Sequence, residues 1–258
     1  MANPTLEKQF GGLPGADGAV DAKLAEKSTL PTGAARAMTI GGVAAKTGVL
    51  LLFVLAAGAW GWNQIDTQAL TVTIPAWWWL VLTGAVVLAI VTAFKPQLAI
   101  VTGPLYAVAQ GVMLGAISAI LDAQYEGIAL QAVLATIAVF VVMLVLFVTR
   151  TIRVTNRMRG MIIGATFGIM LFYLASIVLS FFNVDIPYVW DSGPIGIGFS
   201  LLVVGIAAFN LMLDFDMIER GVSASAPRSY EWYAAFGLMV TIVWLYIEIL
   251  RLLAKTRN

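Results

Sequence analysis

Two places in the sequence could do chemistry inside a membrane. The first is the run Leu213-Asp214-Phe215-Asp216-Met217-Ile218-Glu219-Arg220, which closes a long apolar stretch. The second is Glu248 with Arg251, inside the last apolar stretch. A carboxylate in a bilayer costs roughly 2.5–3.5 kcal/mol on insertion scales unless it is paired, protonated or wetted, so both places are functional candidates by default. On a helix, Asp214 and Asp216 point about 200° apart and do not serve one site equally. Asp216 shares a face with Glu219 and Arg220. The plain use of Asp216 with Arg220, and of Glu248 with Arg251, is an ion pair, with Arg251 snorkelling outward. Lys95 is a third candidate cation partner. The functional use is a pathway closed by Asp216 or Asp214 with a polar group on the last helix. Coupled acids share a proton. Protonated, they hold two helices together; ionised, they repel and offer oxygens to a hard cation such as Ca²⁺. Asp216, Asp214 and Glu248 are the oxygens such a cation would touch in transit. This would be a pH-gated path without histidine.

Other chemistries have no residues to carry them. Histidine and cysteine are absent, which removes disulfides, thiol catalysis and the usual zinc and iron–sulfur ligands. There is no G-x-x-x-x-G-K-[ST] loop and no G-x-S-x-G elbow. The last apolar stretch has no lysine before Lys255 for a Schiff base, and the paired motifs of an intramembrane aspartyl protease are missing. The expectation is a protein without enzymatic activity or cofactor. A net charge of +1 gives no general field for nucleic acid.

The elements that must position these residues follow from composition. The chain has 258 residues, of which 60% are apolar and 11% charged, against roughly 25% charged in soluble domains. Runs of about 20 apolar residues predict seven membrane helices, at about 44–62, 76–94, 98–121, 128–149, 160–182, 194–214 and 232–253. The predicted fold class is an all-α membrane protein, a seven-transmembrane-helix bundle over 38–253. A flexible cytoplasmic segment, 1–37, precedes it and a basic tail, 254–258, follows. No cleavable signal peptide is visible. Thr39 is placed to cap a short interfacial helix leading into the first span, with Lys46 near the headgroups. Trp60, Trp62, Trp77, Trp78 and Trp79 read as an interfacial aromatic belt.

Charge placement predicts the orientation. Lys8, Lys23, Lys27, Arg36 and Lys46 precede or open the first span. Lys95 lies in the second connection, Arg150, Arg153, Arg157 and Arg159 in the fourth, and Arg220 and Arg228 in the sixth. The odd connections have no Lys or Arg, which puts the N-terminus and the even connections in the cytoplasm. Arg251, Lys255 and Arg257 break the rule if the last helix crosses fully; either it crosses despite them or it enters without emerging. The odd connections carry Asp66, Asp122, Glu126, Asp185 and Asp191. These acids are either indifferent to topology or a negative outer mouth that gathers cations. Gly111-x-x-x-Gly115 and Gly164-x-x-x-Gly168 predict close helix packing. Pro104 predicts a kink, and Pro194 a helix's first turn.

Several segments resemble a known family. Ala109-Gln110-Gly111-Val112-Met113-Leu114-Gly115-Ala116-Ile117-Ser118 is similar to the A-E-G-x-x-x-G-x-I-S run of the transmembrane Bax-inhibitor-motif family. Thr136–Phe140 followed by Phe147-Val148-Thr149-Arg150 resembles its fourth helix and basic loop. Phe215-Asp216 resembles its aromatic-Asp-Thr-Gln motif, and Tyr233–Leu238 the entry to its last helix. The likeness covers roughly 38–253 and is to a bacterial branch of the Bax inhibitor/YccA type. It implies a bundle with the last helix central and a pH-sensitive Ca²⁺ leak gated by an aspartate on helix six and a second acid on helix seven. Asp216 takes the first position. The second falls at Thr241 without a gap from Tyr233, or at Glu248 if Leu245-Tyr246-Ile247-Glu248 is matched to Leu-Tyr-x-Asp. Those two positions are seven residues, about 10.5 Å, apart on nearly one face. Gln110 replaces a glutamate of the family pattern, and Met217-Ile218 replace Thr-Gln.

The leading expectation is therefore a cation leak in a bacterial inner membrane, touching the lipid bilayer and passing Ca²⁺ or another cation. The alternative is an interaction protein that regulates a membrane protease or other membrane partners. An H⁺-coupled antiporter using the same carboxylates is a third.

Overall fold

In a computed structural model, residues 37–65, 77–182 and 192–257 are described. The expectations for 1–36, and those for Asp66, Asp185 and Asp191, fall outside these residues. Seven helices are long and apolar enough to cross a membrane. They are α1 (Ile40–Trp62), α2 (Trp77–Phe94), α3 (Ala99–Gln124), α4 (Ile128–Val148), α5 (Asn156–Ser180), α6 (Pro194–Ser223) and α7 (Tyr230–Arg257). A 3₁₀ turn, Pro96–Leu98, leads into α3. At 1.5 Å per residue, even the 18-residue α2 spans about 27 Å, near the thickness of a hydrocarbon core.

Local chemistry sets the ends. Thr39 caps α1 by accepting a hydrogen bond from the Gly42 amide at 2.9 Å. It opens the first span itself, not a separate interfacial helix. Thr155 caps α5 through the Met158 amide at 3.2 Å. Gly127 enters α4 at φ 76°, a left-handed conformation that suits glycine. Pro194 occupies the first turn of α6, as its sequence position predicts. Helix α6 runs nine residues past its predicted end at 214, so Asp216, Glu219 and Arg220 are all helical.

The last helix is central. It packs against α1, α3, α4 and α6, and half of its span is buried, as is half of α3. Helices α1 and α3 meet backbone to backbone. A side chain on Gly111 or Gly115 would strike the Val54 or Gly58 carbonyl of α1, and one on Gly61 the Val112 carbonyl of α3. The other glycine pair behaves differently from the expectation: Gly164 and Gly168 have open space where a side chain would stand. They lie on the outward face of α5, which packs along α6 alone among the longer contacts.

The seventh helix runs the length of the bundle. At its start, Glu231 meets Thr39 and Lys46 of α1. At its end, Arg257 donates to the Glu126 carbonyl at 3.0 Å and to Gln131 at 2.8 Å, in and just after the α3–α4 connection. The arginines that break the charge rule are therefore held by oxygen acceptors at the opposite end of the bundle from Arg150–Arg159. Below, these ends are the basic end and the far end. Trp60 and Trp77 stack at 5.7 Å where α1 and α2 meet at the far end.

Candidate functional site

Asp216 faces α5. Its carboxylate pairs with Arg159 at the start of that helix and with Arg220 one turn along its own. Glu219 takes both guanidinium nitrogens of Arg150, from the α4–α5 connection. That hydrogen bond holds the exposed Arg150 guanidinium above its ordinary value. Two ion pairs thus fasten the basic end of α6 to the segment that carries α5.

Asp214 points the other way, as its two-residue offset predicts. Thr241 of α7 lies beside its carboxyl, and the Thr241 hydroxyl donates to the Gly237 carbonyl at 3.3 Å. The second carboxylate oxygen, Oδ2, is sealed from solvent and has no hydrogen-bond partner. Phe215, between the two acids, packs against Phe140 and Phe147 of α4.

Glu248 is 1% exposed and well served. Tyr173 of α5 donates to it at 3.2 Å, the Trp244 indole at 3.2 Å, and Arg251 at 3.3 Å. Arg251 also donates to Tyr173 at 2.6 Å and lies over its ring at 4.9 Å. The ion pairs Asp216–Arg220 and Glu248–Arg251 that the spacing allows are both formed. Lys95 is exposed and makes no ion pair among the described residues. No three acids come together closely enough to hold a metal ion among the described residues. Asp216 and Glu248 have separate partners, and among the described residues no hydrogen bond joins any two of Asp214, Asp216 and Glu248.

What brings these groups into one feature is a seam between α5 and the α6–α7 pair. Arg159, Thr166 and Tyr173 recur every seven residues on the inward face of α5. Each meets a polar partner: Asp216, then Asn210, whose amide donates to Thr166 at 2.8 Å, then Glu248. On α7, Thr241, Glu248 and Lys255 also recur every seven residues. The buried Lys255 ammonium donates to the Gly196 carbonyl at 3.1 Å, near the far end of α6. A file of polar side chains therefore follows the length of the bundle between mostly apolar walls.

Sequence reasoning missed Arg159, Thr166, Tyr173 and Asn210 as site residues. Their signal was present: polar residues at heptad spacing on an otherwise apolar helix. It also missed Glu231, 1% exposed at the start of α7. Glu231 accepts from the Thr39 amide at 2.9 Å and pairs with Lys46 and Arg228. Lys46 is drawn into this cluster by its pair with Glu231.

Seven helices long and apolar enough to span, the last of them central and half-buried, define an integral membrane protein of the polytopic helical class. Residues 7–258 match the family model described as Bax inhibitor 1 like, and the chain belongs to that family. No curated protein and no solved structure gives a significant match.

Proposed function

We propose that this protein is a pH-sensitive cation leak, with Ca²⁺ as the first candidate cargo, and that the α5 seam is its route. The observation that carries the reading is the polar file from Asp216 through Asn210 and Thr166 to Glu248. Membership of the Bax inhibitor family and the resemblance at Phe215-Asp216 support it. In this arrangement the seam is shut. Asp216 is occupied by two arginines and Glu248 by Tyr173, Trp244 and Arg251.

Because its partners are arginines, ionised Asp216 closes the seam; a pair of acids would open it in that state. Acid that neutralises Asp216 removes the charge that holds Arg159, with Arg220 and the nearby Arg150 left to repel it. Helix α5, packed along α6 and tied to α7 through Tyr173, then moves off the seam. The freed oxygens of Glu248, and those of Asp214 on the adjoining α6–α7 face, replace part of the water around a hard cation. The basic end faces the cytoplasm under the positive-inside rule.

The test is Ca²⁺ entry into liposomes containing the purified protein. Glu248→Gln keeps the shape of the side chain and removes its charge. It is expected to slow acid-stimulated entry at least about tenfold, the equivalent of about 1.4 kcal/mol at a single ion-binding step. A variant that elutes like the wild type and passes Ca²⁺ at the wild-type rate would remove the seam from the route.

A further inference from the structure

Away from the seam, the basic end carries a largely apolar cavity with cations in its wall, of about 510 Å³, between α1, the start of α3 and the start of α7. Its walls are Lys46 and Val49 of α1, Ile100 of α3, and Arg228, Ser229 and Trp232 at the entry to α7. We propose that this cavity binds the headgroup of one anionic phospholipid from the leaflet at the basic end.

Charge is the first argument. Lys46 and Arg228 both lean on Glu231, so two cations share one carboxylate and the cluster keeps a net positive charge. Glu231 is buried and already accepts from Thr39, which fixes the two cations from behind. Arg228 approaches it through Nε, at 3.6 Å, and its side chain is 52% exposed. Arg228 also lines the cavity, and a guanidinium has nitrogens enough to donate to a phosphate while it keeps a carboxylate. Basic pockets between helices at a membrane surface recognise lipid phosphates in this way.

The order of residues is the second argument, and it separates a lipid from a free phosphate. Along α1, the charged Lys46 is followed one turn deeper by the exposed Val49. Along α7, Arg228 and Ser229 are followed one turn deeper by Trp232, with the Lys46 ammonium 5.6 Å from its ring centre. Ile100 supplies a further exposed apolar wall. Cations at the rim with apolar walls below match an amphiphile that stands upright in the leaflet. A tryptophan at that depth is typical of the headgroup boundary.

The test uses the full-length protein in detergent with an equimolar mixture of phosphatidylglycerol and phosphatidylcholine, and native mass spectrometry to read the lipids retained. The wild type is expected to retain phosphatidylglycerol in preference. Arg228→Gln, a change at a half-exposed position, is expected to lower the retained ratio about fivefold, the loss of one basic contact. Arg153→Gln, an exposed arginine elsewhere at the same end, should leave the ratio in place. Three results would each overturn the proposal: equal retention of the two lipids, an Arg228→Gln ratio equal to that of the wild type, or full displacement of the lipid by inorganic phosphate. The last would leave an anion site without a lipid.

Discussion

Three buried or half-buried carboxylates on the last two helices have three different surroundings, and those surroundings decide what each can do. Asp216 is held by arginines on two helices, Glu248 by three donors, and Asp214 lies beside the Thr241 hydroxyl with one carboxylate oxygen unpartnered. Glu231 is a fourth, and its work is structural: it joins the cap of α1 to the start of α7. Removing one member of a buried pair leaves the other charge unpaired, at about 3–5 kcal/mol. Glu231→Ala, which strands Lys46 and the Thr39 amide, is therefore expected to lower stability by that order, read as a fall in the thermal midpoint of the detergent-solubilised protein. A midpoint equal to that of the wild type would show that the cluster contributes no net stability. The residue scale was partly legible in the sequence. An acid in an apolar run stands out by its solvation cost, which is why Asp214, Asp216 and Glu248 are visible. Glu231 is not, because it sits at the edge of a run where a charge ordinarily meets water, and only the return of α1 against α7 buries it.

Between helices, two glycine motifs of the same form have opposite fates. Gly111 and Gly115 let α3 lie against the carbonyls of α1, whereas Gly164 and Gly168 face open space on α5. The pattern small-x-x-x-small reports what a helix could pack against, and the partner decides whether it does. Gly115→Ala is expected to destabilise by about 1–3 kcal/mol through overpacking. Gly164→Ala should lie within about 1 kcal/mol of the wild type, toward greater stability, because alanine favours the helix. Thermal unfolding of the two variants side by side checks this; equal losses would mean that α5 is covered on that face. The spans themselves were readable from hydropathy, with ends displaced by a few residues. The end of α6 was not, because Asp214 and Asp216 interrupt the apolar run while the helix continues on their paired side chains to Ser223. The heptad of Arg159, Thr166 and Tyr173 acquires meaning only beside Asp216, Asn210 and Glu248, which lie 44 to 75 residues from their partners along the chain; no local pattern joins them.

Across the whole molecule, the bundle divides into a tightly packed part and a detachable one. Helices α1, α3 and α7 meet through small residues and buried apolar side chains, and α7 runs among them from Glu231 to Arg257. Helix α5 has α6 as its main neighbour; Phe172 and Tyr173 pack on Phe199, and the other seam contacts named here are hydrogen bonds and ion pairs. Such contacts at a partly wetted end are worth about 0.2–1 kcal/mol each, small enough for a change in protonation to tip. Under the proposed leak, that difference in attachment would let α5 move, with the basic end of α6 as its catch. The most direct measurement is the initial rate of Ca²⁺ entry into liposomes as the pH is lowered, for the wild type and for Asp216→Asn. The account predicts entry that rises with acidity in the wild type, and a variant already fast at neutral pH and nearly flat in its response. A variant with the wild-type rate and the wild-type pH dependence would contradict it.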